Sequence, residues 1–403
     1  MVFDCFLFLY LLAILPRLLF DRIRGKKHPR LAERLGFQIF KPNKPLVLWI
    51  HAVSVGEVKA AQPLFLALKE EYPDAFFLIT TTTATGQAEA QRSLKAADAF
   101  CYLPLDFSWI VRRWAKRLRP KLLFLIEGDI WPNLLSAAHK VGAKTILVSG
   151  KMSRHSARRL GYFPQIARHL FSSLDLLLVQ NAVHHSRFSP FVDPKRLRIT
   201  GNLKFDLSPQ PTDTTFWKQH ISLPTITLAS THAPEEAWLL EALKDLPLFI
   251  FLAPRHPERI PTIAGWLRQQ NISFLYSSNP HFQGQRVVLV DTMGQLPLCY
   301  TLSALAIVGG SFVSHVGGHN ILEPCLYGTP VLFGPHVAAQ EELAHHLLES
   351  RAGRQVPLDE LRSAVCDMLA TDNAALRQAA HTLVAGIRGS TKKTVQEIRA
   401  FLN

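Results

Sequence analysis

Three side chains stand where a chain of this pattern could carry out proton transfer and charge stabilisation. Leu46-Val47-Leu48-Trp49-Ile50 is an apolar run suited to a buried strand, and His51-Ala52-Val53-Ser54-Val55-Gly56-Glu57 follows it. Gly56 permits a tight turn there, and helical spacing begins at Val58, so Glu57 opens a helix at the carboxyl end of a strand. A carboxylate in that place can take a proton from a substrate hydroxyl. It also serves as an ordinary first-turn acid that complements the helix dipole, and the residue alone leaves both readings open. Leu122 to Ile126 is a second apolar run, ending in Glu127-Gly128-Asp129 before Trp131-Pro132-Asn133. Lys204, in Gly201-Asn202-Leu203-Lys204-Phe205-Asp206, is either a solvated loop charge or a cation at an anionic reaction centre.

A different chemistry is written in the second half, in the stretch Gly309–His336. Leu305-Ala306-Ile307-Val308 reads as a buried strand, and Gly309, Gly310, Gly317 and Gly318 follow. Such glycines let backbone N–H groups approach a ligand closely. Asn320 is placed to cap a short helix with Glu323 three residues on, as in a capping pair. Strand, glycine turn, helix and the strand at Pro330–Phe333 make a unit whose helix start suits a nucleotide phosphate. An ordinary βα turn reads the same way. Arg255, at the end of the apolar run Leu248–Leu252 and Ala253-Pro254, can pair bidentately with a phosphate. The His256-Pro257-Glu258-Arg259 run lacks a metal-binding pattern, and neither a Walker A sequence nor a clean GxGxxG occurs.

The elements that must position these residues alternate. Apolar runs at Phe76–Thr80, Thr145–Val148, Leu176–Val179, Thr225–Ala229 and Val287–Val290 each end in polar residues, with helical segments between them. That is the pattern of parallel sheets covered on both faces. A chain of 403 residues exceeds one core. The Pro- and Thr-rich Leu207–Thr215 reads as a linker, and the expected domains are 31–207 and 216–403 about a linker at 208–215. Charged residues make up 19% and apolar residues 48%, which excludes bulk disorder. The excess of 45 Lys+Arg over 31 Asp+Glu favours an anionic partner without choosing one. Five scattered cysteines suggest neither a disulfide framework nor a zinc site.

Residues 1–30 read as a membrane anchor with a basic flank. The segment Met1–Phe20 is nearly all apolar, and Arg22, Arg24, Lys26, Lys27, His28 and Arg30 follow. The charges lie behind the apolar run, unlike those of a cleavable signal peptide. The run Phe6–Phe20 is shorter than the ~20 residues of a comfortable span, so it suits a thin signal-anchor or an interfacial helix with its basic flank on anionic headgroups. A core helix of the first domain is the other reading.

Seven blocks carry a specific resemblance: HAVSVGEV, IEGDIWPNL, GNLKFD, STHAPEE, APRHPER, DTMGQL and GGSFVSHVGGHNILEPCLYGTPVLFGPH, in this order. In them the chain resembles the 3-deoxy-D-manno-octulosonic acid (Kdo) transferases of lipopolysaccharide assembly. The resemblance implies a GT-B glycosyltransferase fold, two Rossmann-like domains facing a central cleft, with an N-terminal membrane-anchor helix. It implies inverting transfer of Kdo from CMP-Kdo to a lipid A precursor (lipid IVA), without metal or cofactor, at the cytoplasmic face of the inner membrane. By the same resemblance Glu57 is the general base, and Glu127 and Lys204 stabilise the transition state. Pro254, Arg255, Met293, Gly294, Gln295, Asn320, Ile321, Leu322 and Glu323 match the CMP-binding segments, with Asn320 at the phosphate and Glu323 on the ribose. The chain departs from the family's usual pattern at Glu127-Gly128-Asp129, at Met293-Gly294-Gln295 and at Ser149-Gly150-Lys151-Met152-Ser153. Two other functions fit the pattern less fully. One is a GT-B enzyme using a UDP-sugar; the other is a membrane-tethered, non-enzymatic anion binder. A nucleic-acid partner is not expected, because the basic residues cluster behind the anchor and not among aromatics.

Overall fold

The computed structural model describes residues 4, 7–8, 31–38, 40–209, 212–338 and 340–402. The chain forms two compact units, residues 1–207 with 388–403, and residues 208–387. Apart from residues 4, 7 and 8, the expected anchor at 1–30 lies outside the described residues. Among those described, no helix is long and apolar enough to cross a membrane.

The first unit is built on a seven-stranded sheet. Its strands are β1 (Val47–His51), β2 (Phe76–Thr81), β3 (Ala99–Tyr102), β4 (Leu122–Ile126), β5 (Lys144–Gly150), β6 (Leu176–Val179) and β7 (Leu197–Ile199). They lie in the order β3-β2-β1-β4-β5-β6-β7, and every pair is parallel. Successive side chains of a strand point to opposite faces. Val47 and Trp49 therefore join one apolar layer, and Leu48 and Ile50 join the other. Burial on both faces explains the uninterrupted apolar runs.

The second unit repeats the plan with β8 (Thr225–Thr231), β9 (Phe249–Pro254), β10 (Phe274–Tyr276), β11 (Val287–Leu289), β12 (Leu305–Val308), β13 (Val331–Phe333) and β14 (Gly353–Gln355). The order is β10-β11-β9-β8-β12-β13-β14, again all parallel. In each sheet the strand order reverses beside one strand, between β1 and β4 and between β8 and β12. Open α/β sheets bind ligands outside the carboxyl ends of their strands at such a point.

Two expectations need correction. The expected second domain at 216–403 loses its end, because residues 388–403 belong to the first unit. The helix Ser390–Leu402 buries Val395 and Ile398 in the same apolar layer as Val58, Leu64 and Leu203. Asp206 receives that helix's start, with Oδ1 accepting from the Gly389 N–H at 2.7 Å and Oδ2 from the Thr391 N–H at 2.5 Å. Arg399 then pairs with Glu71 at 2.9 Å. The second correction concerns Asn320, which opens no α-helix. Its Oδ1 accepts from the Leu322 N–H at 3.2 Å, and only a five-residue 3₁₀ segment, Glu323–Tyr327, follows. Gly328, at φ +71°, ends it.

Candidate active site

At the switch point of the first sheet, β1 and β4 are neighbours, and each delivers an acid. Glu57 lies in the first turn of helix α1 (Val55–Glu71). Its Oε2 accepts from the Val53 N–H at 2.7 Å, which holds the carboxylate back over the strand end. Burial pushes its pKa up to about 7, opposed by the Val53 hydrogen bond and by Lys151, and reinforced by the negative charges of Asp129 and Glu127. A carboxyl poised there is half ionised near neutrality and matched to general-base work. Gly56 turns no corner, contrary to expectation. It is helical, and a methyl group there would stand 3.8 Å from Lys204 Nζ, an ordinary contact.

Glu127 follows β4 directly, at φ +66° and 3% exposed. That left-handed backbone is uncommon for a side chain with a Cβ, and two hydrogen bonds hold it. The Glu127 N–H donates to Val148 O at 2.9 Å, and Glu127 O accepts from the Lys151 N–H at 2.8 Å. The carboxylate lies between two ammonium groups, with Oε1 2.5 Å from Lys204 Nζ and Oε2 2.5 Å from Lys151 Nζ. Burial raises its pKa, but Lys204 and Lys151 together outweigh that and hold it below the ordinary value. The two neighbouring acids are therefore driven apart in acidity, Glu127 fixed as an anion and Glu57 free to exchange a proton.

Lys204 is aimed by its own short segment. In the 3₁₀ turn Leu203–Asp206, Leu203 is fully buried, and Asn202 Oδ1 accepts from the Lys204 N–H at 3.0 Å. The structure thus brings Glu57, Glu127 and Lys204 to one edge. Lys151 completes the group and carried no signal of its own as a lone lysine. Its position does: it directly follows β5, the strand beside β4, as Glu127 directly follows β4.

The second unit concentrates different groups at its own switch point. Glu235 opens the helix α2 (Glu235–Leu243) and is fully buried. Its Oε2 accepts from the N–H of His232 at 2.8 Å and of Gly310 at 2.7 Å, and its Oε1 from the Phe312 N–H at 3.0 Å. Burial raises its pKa against the pull of these bonds. One carboxylate thereby ties the loop after β8 to the glycine loop after β12. A Cβ at Gly309 would stand 2.7 Å from that oxygen, so the close approach requires glycine. The adjacent Glu236 receives both Arg259 amino groups, at 2.7 and 3.0 Å, and the Thr231 hydroxyl at 2.8 Å.

The expected nucleotide-binding residues occupy this unit's carboxyl edge unevenly. Pro254 ends β9, and Arg255 follows with an exposed side chain. Met293 is 74% exposed, Gly294 is left-handed at φ +85°, and Gln295 opens the next helix. Asn320 is exposed, whereas Ile321 and Leu322 are buried core residues. Those two can therefore offer a ligand only backbone groups, a restriction the sequence did not carry. His232 and His319, absent from the expected site, face each other with Nε2 atoms 2.7 Å apart. Among the described residues no group of three or more His, Cys, Asp or Glu could hold a metal ion.

Comparison with known proteins gives a consistent result. Residues 29–207 match the family model described as 3-deoxy-D-manno-octulosonic-acid transferase (kdotransferase). The chain is 34% identical to the 3-deoxy-D-manno-octulosonic acid transferase of Chlamydophila psittaci over 87% of this chain and 84% of that protein. It is 32% identical to that of Haemophilus influenzae over 93% and 91%. A glycosyltransferase structure from Rickettsia africae aligns over 90% of this chain and all of that one, at a TM-score of 0.59 and 12% identity. That likeness shows the fold, the GT-B class with two parallel-sheet α/β units.

Proposed function

This chain belongs to the 3-deoxy-D-manno-octulosonic acid transferase family, and we propose that it transfers Kdo from CMP-Kdo to a lipid A precursor, lipid IVA, with Glu57 as general base. It is a glycosyltransferase of lipopolysaccharide biosynthesis. In the proposed step the acceptor's glucosamine hydroxyl oxygen attacks the anomeric carbon, its proton passes to Glu57, and the bond to the CMP phosphate breaks with inversion. The observation that supports this reading is the Glu57 carboxyl itself, held at a helix start with a pKa near 7 beside a permanently ionised Glu127.

The remaining roles follow from charge. Lys204 and Lys151 offset the anion at Glu127 and leave cationic character next to the base; Glu127 in turn fixes both ammonium groups, which is how it and Lys204 act on the transition state. CMP departs as a phosphate monoester, so growing negative charge needs cations or N–H donors and no general acid. Arg255, the backbone at Gly294 and Gln295, and Asn320 are the groups we assign to CMP, with Glu323 on the ribose hydroxyls. The net charge of +14 suits a phosphorylated lipid and an anionic inner-membrane surface, with residues 1–30 as anchor. Incubation with CMP-Kdo and a tetraacylated lipid A precursor tests the whole. Acceptor mass should increase by whole Kdo residues, whereas transfer from UDP-sugars alone would overturn the donor assignment.

A further inference from the structure

His232 follows β8 and His319 belongs to the loop after β12, the two neighbouring strands where the order of the second sheet reverses. Their rings lie edge to edge with centroids 4.9 Å apart and 13° between planes, and their Nε2 atoms face each other at 2.7 Å. A contact this short joins one N–H to one lone pair. The neutral pair therefore spends one Nε2 proton internally and presents no second one.

The setting is cationic and built for close approach. His256 stands edge-on to His232 at 5.2 Å. The charged and titratable groups acting on His232 are His256, Arg259, Glu236 and His315, and those acting on His319 are Arg255 and His256. Both carboxylates nearby are engaged. Glu236 is paired with Arg259, and each Glu235 oxygen accepts a backbone N–H. At Gly310, φ +68°, an added Cβ would come within 2.9 Å of His319 Cδ2, so glycine lets the ring sit where it does.

We propose that His232 and His319 form a proton-coupled anion clamp for the nucleotide-sugar donor. The pair takes one proton from solvent on the accepting Nε2, which breaks the Nε2–H···Nε2 hydrogen bond; the two rings turn apart, and both Nε2–H groups donate to an anionic oxygen of the donor's phosphate or sugar carboxylate. The inference rests on the reading that this edge holds the donor. In the free protein the pair is neutral, because burial and the neighbouring cations lower both histidines, His319 to about 4. A bound anion reverses that preference, so binding and protonation favour each other reciprocally.

Calorimetric titration of the full chain with CMP, free Kdo and cytidine, in two buffers of different ionisation enthalpy between pH 6 and 8, tests this. For CMP the clamp predicts uptake of roughly one proton and an affinity that falls by up to about tenfold per pH unit as pH rises. Uptake with CMP places the phosphate at the clamp; uptake with free Kdo alone places the carboxylate there. His319→Asn and His232→Asn should each abolish uptake and flatten the pH dependence, with unchanged thermal midpoints as the folding control. Arg255→Ala should weaken binding and keep the uptake. CMP binding without proton uptake by CMP or Kdo overturns the clamp and leaves the donor site standing. Failure of CMP to bind the unmodified chain overturns both.

Discussion

Lys204 Nζ lies 2.5 Å from Glu127 Oε1, although the two residues are 77 positions apart. The contact depends on Leu203 being buried in the first unit's core and on Asp206 receiving the start of the helix Ser390–Leu402. The lysine is thus positioned by packing on both sides of it. Lys151 reaches the other carboxylate oxygen, but its side chain is 51% exposed against 25% for Lys204.

That difference ranks two variants. Lys204→Ala should lower kcat by ~10²-fold or more, on the scale of losing a preorganised charge partner. Lys151→Ala should cost about tenfold or less, because water screens an exposed ion pair. Steady-state transfer assays at saturating CMP-Kdo check the order. Equal losses would mean that Glu127 needs both ammonium groups alike.

Glu57 should reduce stability at and above neutral pH. Its folded pKa of about 7 lies above the ordinary 4.5, so the folded state disfavours the ionised form. The carboxyl's stabilising contribution is intact below pH 4.5 and is lost as pH rises through about 7. Glu57→Gln should therefore melt higher than the unmodified chain at pH 8 and nearly level with it at pH 4.5. Thermal denaturation at the two pH values measures the crossover.

The glycine loop offers a third test. Gly310→Ala places a Cβ 2.8 Å from Val316 Cγ1 and 2.9 Å from His319 Cδ2, at φ +68°. The outcome expected is a donor KM raised by about tenfold and a destabilisation of ~1–3 kcal/mol from the left-handed backbone and the clash. Substrate-dependence curves and chemical denaturation separate the two effects.

A fourth concerns the end of the chain. Ile398 is fully buried in the first unit, so Ile398→Ala should cost ~2–5 kcal/mol. It should also weaken turnover through the Asp206–Lys204 segment more than through donor affinity. Unfolding curves with kcat and donor KM for that variant check both parts.

The sequence revealed the centre of each sheet and missed its margins. The strands β3, β7, β10 and β14 were not anticipated, and they are the four outer strands. Edge strands bury less of themselves: β7 is buried only at Leu197, and β10 only at Leu275. β7 and β14 carry a central arginine, Arg198 and Arg354. β3 and β10 are runs of four and three residues that alternate between buried and half-buried, unlike the fully buried runs of β1, β4 and β12. The return of the helix Ser390–Leu402 to the first unit depends on Asp206, far away in sequence. Glu127 was legible because it follows an apolar run directly, and Glu57 because it opens the helical pattern after another. His232 and His319 were not, since a histidine acquires meaning only when a second loop brings its partner within 3 Å, and Lys151 was marked only by its place after a strand.

The most direct test of the account is the pH dependence of kcat for Kdo transfer at saturating CMP-Kdo, where donor affinity no longer contributes. For the unmodified chain kcat should rise about tenfold per pH unit below pH 7 and level off above it, following the Glu57 carboxyl at about 7. Glu57→Ala should lower kcat by ~10²-fold or more and remove the inflection, while CMP binding stays intact. A Glu57→Ala variant with near-normal kcat and the same inflection would contradict the assignment of Glu57 as the base.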